Sequence, residues 1–333
     1  MQTLCSDEIR VPRVLGFSSK TKEFDSEVPW EWIVLERLEG DNLANTWDSL
    51  SPKQKAYTSE RLARIVVSMR SLLTLQSLGI ATQSPSLIGN LSLIPNNRES
   101  HITGTDHKHF SILDSPVTRI YVSNILNGPP ASSSYLEYTR SWLHLQMDRL
   151  QQPEIGYEFA YALHLERLPR LRNLQNIVEE HTGIAKINSD RRWKPVFTHG
   201  DFNPQNILLH RAESGITDEV DISILDWEWA GFFPPHIEWD AGLNDLTELI
   251  GDSDAKSTFM NVLHASNIIT PDTADVEDWE CAINMSRLIE CVMPWWLGGY
   301  PADGGDGDLK KAVEEKRLRA VSELDSLLLF FGA

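Results

Sequence analysis

The 333-residue sequence has only three cysteines and no long apolar run. Cys5, Cys281 and Cys291 are odd in number and lack the spacing of a metal site, as is usual in a reducing cytosol. Because no stretch of about 18 apolar residues exists, we expect no transmembrane helix. The first residues also lack the apolar region of a signal peptide. These absences predict a cytoplasmic protein with no membrane partner.

Basic residues are scarce, since 30 Lys and Arg stand against 48 Asp and Glu and give a net charge of −18. A strongly acidic chain lacks the basic face that nucleic acid requires, so we expect no nucleic-acid partner. The charge keeps the protein soluble and would favour cationic small molecules by long-range attraction. The apolar content of 41% and the length suit one domain or two tightly joined lobes.

The stretch from 198 to 206, THGDFNPQN, places His199, Asp201 and Asn206 in the pattern H-x-D-x-x-x-x-N. Further along, the segment ILDWE closes an apolar run with Asp226. The first pattern alone occurs by chance in many chains, and the acid at the strand end makes it specific. Together they are typical of phosphoryl transfer, which needs a carboxylate to accept a hydroxyl proton and oxygen ligands for Mg²⁺.

A hairpin is predicted between these two segments. The apolar runs 207–209 and 222–225 read as short strands, and the polar connection between them contains Gly215. Such a hairpin would bring Asn206 and Asp226 close together.

HGDFNPQNIL together with ILDWEWAGFFP closely resembles the aminoglycoside phosphotransferase and choline kinase-like group. These are small-molecule kinases related to protein kinases, and D-W-E stands where protein kinases carry D-F-G. The resemblance implies an α+β, protein-kinase-like fold and the use of ATP and Mg²⁺. It implies Asp201 as catalytic base, Asn206 and Asp226 as Mg²⁺ ligands, and His199 as a brace of the catalytic loop. FSILDSPVTR and NGPPASSSYLEYTRSW are similar to a fungal subgroup.

The same resemblance implies that residues 1–40 are a remnant of the small ATP-binding lobe and hinge. Residues 41–333 would form the helical large lobe. Near the hinge, the backbone of Glu36 and Leu38 would hydrogen-bond the adenine edge, although an ordinary hairpin would give the same pattern. The chain departs from the family here, because no glycine-rich hairpin precedes the hinge and Lys20 and Lys22 fall in a turn. We expect most of the N-terminal lobe to be missing.

Acidic residues follow the metal-binding Asp, at Glu228, Glu238, Asp240, Asp245, Glu248, Asp252 and Asp254. A solvated helix face is the simpler interpretation of this zone. Alternatively, Glu228 and Asp240 line the acceptor site and hold a substrate amine. Asp240 could also cap the following helix, and Glu228 could fix the loop.

Helices are predicted over 51–79, 132–150, 157–180 with a break at Pro169, 279–294 and 308–331. Residues 83–130 read as loops with short strands. His101, His107 and His109 cluster there without the spacing of a metal site. The glycines of 298–307 fit neither a phosphate loop nor a calcium loop and indicate a flexible loop.

Two functions remain open. The first is an ATP- and Mg²⁺-dependent O-phosphotransferase acting on a small hydroxyl-bearing molecule. The alternative is a repurposed or non-catalytic relative that lacks the phosphate-covering loop and Lys and binds a ligand or runs different chemistry in the same cleft. A protein kinase is disfavoured, because no A-P-E stretch follows D-W-E.

Overall fold

The computed structural model describes residues 9–18, 32–74, 76, 87–95, 117–122, 128–152, 158–211, 220–251, 254–293 and 307–333. The helices are α1 (Leu43–Thr46), α2 (Pro52–Leu72), α3 (Tyr135–Gln151), α4 (Glu158–His164), α5 (Leu168–Glu180), α6 (Thr182–Ser189), α7 (Pro235–Glu238), α8 (Asn244–Ile250), α9 (Asp254–Ala265), α10 (Val276–Val292) and α11 (Gly307–Phe330). The strands are β1 (Val14–Ser18), β2 (Trp32–Leu35), β3 (Asp41–Asn42), β4 (Gly89–Pro95), β5 (Val117–Val122), β6 (Val196–Thr198), β7 (Ile207–Arg211), β8 (Val220–Ile224) and β9 (Gly231–Phe233). Across these ranges, no helix is both long and apolar enough to cross a membrane.

The long helix α2 begins as predicted. The Ser51 hydroxyl accepts the backbone N–H of Gln54 at 3.2 Å, and the Gln54 side chain accepts the backbone N–H of Ser51 at 3.0 Å. This reciprocal capping box satisfies two of the free N–H groups at the helix start. The predicted apolar face is buried, with Leu62, Ile65, Val66, Met69 and Leu73 at most 4% exposed. The helix ends at Leu72, earlier than predicted, and Gly79 lies outside the described residues.

Other helix boundaries follow their caps. Ser134 caps α3 and Asp275 caps α10, so α10 starts ahead of the predicted residue 279. The predicted interruption of the helix 157–180 is present, but it lies just ahead of Pro169: α4 and α5 separate at a 3₁₀ turn, Leu165–Arg167. Pro169 instead occupies the first turn of α5, where its missing N–H costs no hydrogen bond. The histidine cluster, Lys20, Lys22 and the glycine loop 298–306 lie outside the described residues.

The predicted hairpin is confirmed by strands β7 and β8, which pair antiparallel with Ile207 opposite Ile224. Strand β3 extends this sheet along β7, and Arg10 forms a parallel bridge with Ser223. Ile9 and Val11 are buried in the same core. A second sheet has the order β5-β4-β9-β6, and β1 pairs with β2. The division of the chain at residue 40 stays a prediction.

Two apolar cores hold the helices and sheets together. The first surrounds the β7–β8 hairpin and is closed by α2, which packs along α9. The second lies among α3, α5, α6, α10 and α11. Trp279 packs against both cores and therefore links them.

Three histidines, His164, His199 and His236, are fully buried. Burial lowers the pKa of His236 to about 3 and those of His164 and His199 to about 4. The rings are therefore neutral inside the folded protein at neutral pH. In the unfolded chain, these histidines take up protons as the pH falls below about 6.5. Their contribution to stability is therefore complete above this pH and is lost as the pH falls toward the lower pKa of the folded state.

We expect His236→Phe to make the protein less sensitive to acid, because Phe keeps an aromatic ring beside Tyr135 and Trp193 but binds no proton. Between about pH 6.5 and 4, the free energy of unfolding should fall with pH less steeply in the variant than in the wild type. The two slopes should differ by up to roughly 1.4 kcal/mol per pH unit. Urea unfolding at several pH values measures this. His144→Phe, at an exposed position, is the control and should keep the wild-type slope. Equal slopes for wild type and His236→Phe would contradict the buried neutral ring.

Candidate active site

The loop between β6 and β7 carries the first predicted motif. It ends in a 3₁₀ turn, Pro204–Asn206, which Asn203 caps with its side-chain oxygen. Gly200 has a φ of +82°, and a Cβ there would lie 2.7 Å from the Trp229 carbonyl oxygen. Only glycine fits this bend, which lets the chain turn directly beneath the following acid.

His199 connects this loop to the end of β8. Its Nε2 lies 2.7 Å from the carbonyl oxygen of Leu225, and its Nδ1 accepts the backbone N–H of Asp201 at 3.2 Å. These partners fix the proton on Nε2, so the ring donates to Leu225 and accepts from Asp201. The ring is fully buried, and its contacts are those of a brace.

Asp201 is held by amides on both of its carboxylate oxygens. Oδ1 accepts Asn203 Nδ2 at 2.6 Å, and Oδ2 accepts Asn206 Nδ2 at 2.7 Å. The same Asn206 nitrogen also donates to the Asp201 carbonyl oxygen at 3.0 Å. Both donor bonds of this amide point toward Asp201, so Asn206 Oδ1 faces away from it.

The hairpin brings Asp226 beside Asn206. The backbone N–H of Leu225 donates to the Asn206 carbonyl oxygen at 2.8 Å, and Asp226 is the next residue. Asp226 has a φ of +57°, a conformation that residues other than glycine adopt rarely. Its side chain is exposed, so the bend directs a carboxylate outward at the end of β8.

These oxygen groups fit Mg²⁺, which prefers oxygen ligands and is usually held by one or two carboxylates together with substrate phosphates. Asn206 Oδ1 and the Asp226 carboxylate supply such a partial set. Within the described residues, no group of three or more His, Cys, Asp or Glu side chains could hold a metal by itself. The site therefore suits a metal that arrives with a phosphate ligand.

Sequence reasoning missed the role of Glu238, which it grouped with a solvated helix face. Glu238 is 1% exposed and lies beneath the loop between β6 and β7. Oε2 accepts the backbone N–H of His199 at 2.6 Å, and Oε1 accepts that of Gly200 at 3.2 Å. The available signal was its position in an otherwise apolar stretch, FFPPHIEW.

Arg70 of α2 is the buried counter-charge of Glu238. Burial raises the pKa of Glu238 to about 7, while the attraction of Arg70 and the backbone N–H donors oppose that rise. Burial likewise lowers the pKa of Arg70 to about 10. Arg70 also donates to the carbonyl oxygen of Pro235 at 3.2 Å. The Arg70 bond to Pro235 therefore ties α2 to α7, and the Glu238 bonds tie α7 to the loop between β6 and β7.

Asp240 lies in a π-helical turn, Trp239–Leu243. The alternative that it caps a helix is wrong, because the helical run already begins at Pro235. Burial raises the pKa of Asp240, Arg287 opposes this, and Glu323 adds repulsion. Burial also raises the pKa of Glu290 to about 7, with repulsion from Asp240 and Glu323. Three carboxylates and one guanidinium therefore share this region.

The remaining predicted residues are Glu228, Glu36 and Leu38. Glu228 is exposed in the turn that follows Asp226. Glu36 and Leu38 follow β2, and the backbone N–H of Glu36 donates to the Arg13 carbonyl oxygen at 2.7 Å. The carboxylate of Glu36 pairs with the Arg13 guanidinium at 3.0 Å. That backbone N–H is therefore engaged, and only the Glu36 carbonyl could face a ligand.

A model of the phosphotransferase enzyme family (APH) matches residues 1–239. Among solved structures, the GDP complex of aminoglycoside 2'-phosphotransferase-IIIa is similar at 11% identity, with 94% of this chain and 76% of that chain covered and a TM-score of 0.43. The ethanolamine kinase of Plasmodium vivax is similar at 10% identity, with 97% and 68% covered and a TM-score of 0.41. A comparison with curated proteins gives no match. The family match confirms the predicted kinase-like α+β fold.

Gly242 allows the π-helical turn to touch the catalytic loop. A Cβ at this position would lie 2.5 Å from the carbonyl carbon of Phe202 and 2.8 Å from the backbone nitrogen of Asn203. Both contacts are to backbone, so the loop itself would have to move.

We therefore expect Gly242→Ala to lower the free energy of unfolding by about 1–3 kcal/mol through overpacking. In an ordinary helix, the same change would stabilise by roughly 0.5–1 kcal/mol. Urea unfolding measures the sign, and amide exchange at Phe202 and Asn203 should become faster. Ala241→Gly, in the same turn, should lower the free energy of unfolding only by the ordinary difference between Ala and Gly in a helix. A stabilised Gly242→Ala would show that the loop does not rest on this turn.

Proposed function

Because the chain belongs to the phosphotransferase enzyme family, we propose that it transfers the terminal phosphoryl group of ATP to a hydroxyl of a small molecule. The observation that carries this proposal is the arrangement of Asp201, Asn206 and Asp226 at the end of one hairpin. A carboxylate and two oxygen groups for a metal are the parts that in-line phosphoryl transfer uses.

Asp201 accepts the proton of the acceptor hydroxyl and orients its oxygen toward the phosphorus. The carboxylate is suited to this task because it is half-buried and fixed by two amides rather than free to rotate. His199 takes no part in proton transfer, since its ring is buried and both nitrogens are bonded within the protein. Its role is to keep the loop and the end of β8 together.

Asn206 Oδ1 and the Asp226 carboxylate would hold Mg²⁺, which when bound would neutralise charge on the transferring phosphates. The adenine edge lies against the hinge after β2. There, the carbonyl oxygen of Glu36 and the backbone N–H of Leu38 supply the acceptor and the donor. The N–H of Glu36 is excluded from this role by its bond to Arg13.

The acceptor is a small cation, such as an amino alcohol or an aminated sugar. Asp240, Glu290 and Glu323 interact electrostatically in one region, where burial raises the pKa of Asp240, and burial together with repulsion raises that of Glu290, whose side chain keeps an exposed face. An ammonium group placed there would restore their ionisation and compensate that cost. The net charge of −18 would raise the local concentration of such a substrate.

We expect Asp201→Asn and Asp226→Ala each to lower kcat by at least about 10²-fold, because each removes a group on which the transition state depends. Release of ADP from Mg²⁺-ATP, with a panel of amino alcohols, aminoglycosides and sugars, measures this. Asp221→Asn is the matched control, since Asp221 is exposed on the same hairpin. Turnover within tenfold of wild type in both site variants would refute the proposed mechanism. Binding of ligand without any turnover would favour the repurposed relative.

Asp240→Asn should raise KM for a cationic acceptor about tenfold and leave KM for a neutral acceptor of similar size unchanged. The reason is the loss of one attractive charge at the amine. KM for the cation should also rise with salt in the wild type, since salt screens such attraction. Asp245→Asn, at an exposed position of α8, serves as the control. An equal change in KM for both acceptors would show that Asp240 does not recognise charge.

A further inference from the structure

Asn203 uses both ends of its side-chain amide inside the catalytic loop. Its oxygen accepts the backbone N–H groups of Gln205 at 3.0 Å and Asn206 at 3.2 Å. Its nitrogen donates to Asp201 Oδ1 at 2.6 Å. Its backbone N–H also donates to the Asp201 carbonyl oxygen at 2.9 Å. One side chain therefore joins the acid to the turn that carries Asn206.

Capping alone does not account for this arrangement. A cap needs only an oxygen that accepts the N–H groups of the turn, which Ser and Asp supply as well as Asn. The amide nitrogen is an additional donor, and it bonds the carboxylate oxygen that Asn206 leaves uncovered. With one amide on each oxygen, rotation of the carboxylate about its Cβ–Cγ bond would break a short hydrogen bond.

The remaining lone pairs of Asp201 therefore point in fixed directions. A carboxylate offers about four acceptor positions, and the two amides occupy one on each oxygen. The acceptor hydroxyl must meet one of the others. If Asn203 released Oδ1, the single bond from Asn206 would leave the carboxylate free to swing.

We propose that Asn203 is the positioning residue of the catalytic base. It holds Asp201 Oδ1 so that the carboxylate faces the acceptor hydroxyl, and through its cap it ties that orientation to Asn206. This inference rests on the proposed function of Asp201. Asp201 takes the proton, and Asn203 orients the Asp201 carboxylate. Asn203 occupies one of the unspecified positions of the H-x-D-x-x-x-x-N pattern.

The test uses hydrolysis of Mg²⁺-ATP with water as the acceptor, so that no particular acceptor has to be known. Asn203→Ser and Asn203→Thr keep an oxygen for the cap but lack the amide donor. We expect both to melt within about 2 °C of the wild type and to keep KM for ATP within twofold. Their kcat should fall at least tenfold, since misplacing a reacting group by about 1 Å can cost 10²-fold.

Asn188→Ser is the control, because the Asn188 side chain also accepts a backbone N–H, that of Leu136, far along the chain. It should leave kcat and KM unchanged. A cap-only role predicts that Asn203→Ser and Asn203→Thr retain wild-type kcat, and that result would overturn the inference while the proposed function stands. Hydrolysis that survives in both Asp201→Asn and Asp226→Ala would instead remove the proposed function and this inference with it.

Discussion

The buried side chain of Glu238 fixes the loop between β6 and β7, which carries Asp201. Two consecutive backbone N–H groups, those of His199 and Gly200, end on its oxygens, and Arg70 supplies the opposite charge. Buried carboxyl oxygens are costly to leave without hydrogen bonds, so the loop follows the path that brings these two N–H groups to Glu238. The bond between Gly200 and Glu238 therefore fixes the chain directly before Asp201.

The second acid is positioned by a different constraint. Asp226 has left-handed backbone, which costs of order 1–3 kcal/mol and persists only where neighbours enforce it. Leu225 provides that enforcement, since its N–H bonds to Asn206 and its carbonyl oxygen to His199. The hairpin and the buried histidine together therefore direct the Asp226 carboxylate outward. The two supports meet at His199, whose backbone N–H bonds Glu238 and whose ring bonds Leu225.

Much of the fold and of the candidate site could be predicted from local sequence patterns. The hairpin, the apolar face of α2 and the pairing of Asn206 with the β8 end follow from short-range periodicity and spacing. The apolar neighbours of Glu238 could have indicated its burial, but its bonding partners could not be predicted, because they lie about 40 residues away and only the tertiary fold brings them together. The second bond of Asn203 escaped for another reason: its spacing from Asp201 is equally that of an ordinary turn. Because Ser134 and Asp275 are the N-caps, α3 and α10 begin at residues other than the predicted 132 and 279.

The proposed function requires the end of the hairpin to bind a nucleotide through a shared metal. Calorimetric titration of the 333-residue protein with a non-hydrolysable ATP analogue, with and without Mg²⁺, tests it most directly. The account predicts Mg²⁺-dependent binding that Asp226→Ala loses and Asp221→Asn keeps. Binding that is equally strong without Mg²⁺, or unchanged in Asp226→Ala, would contradict it.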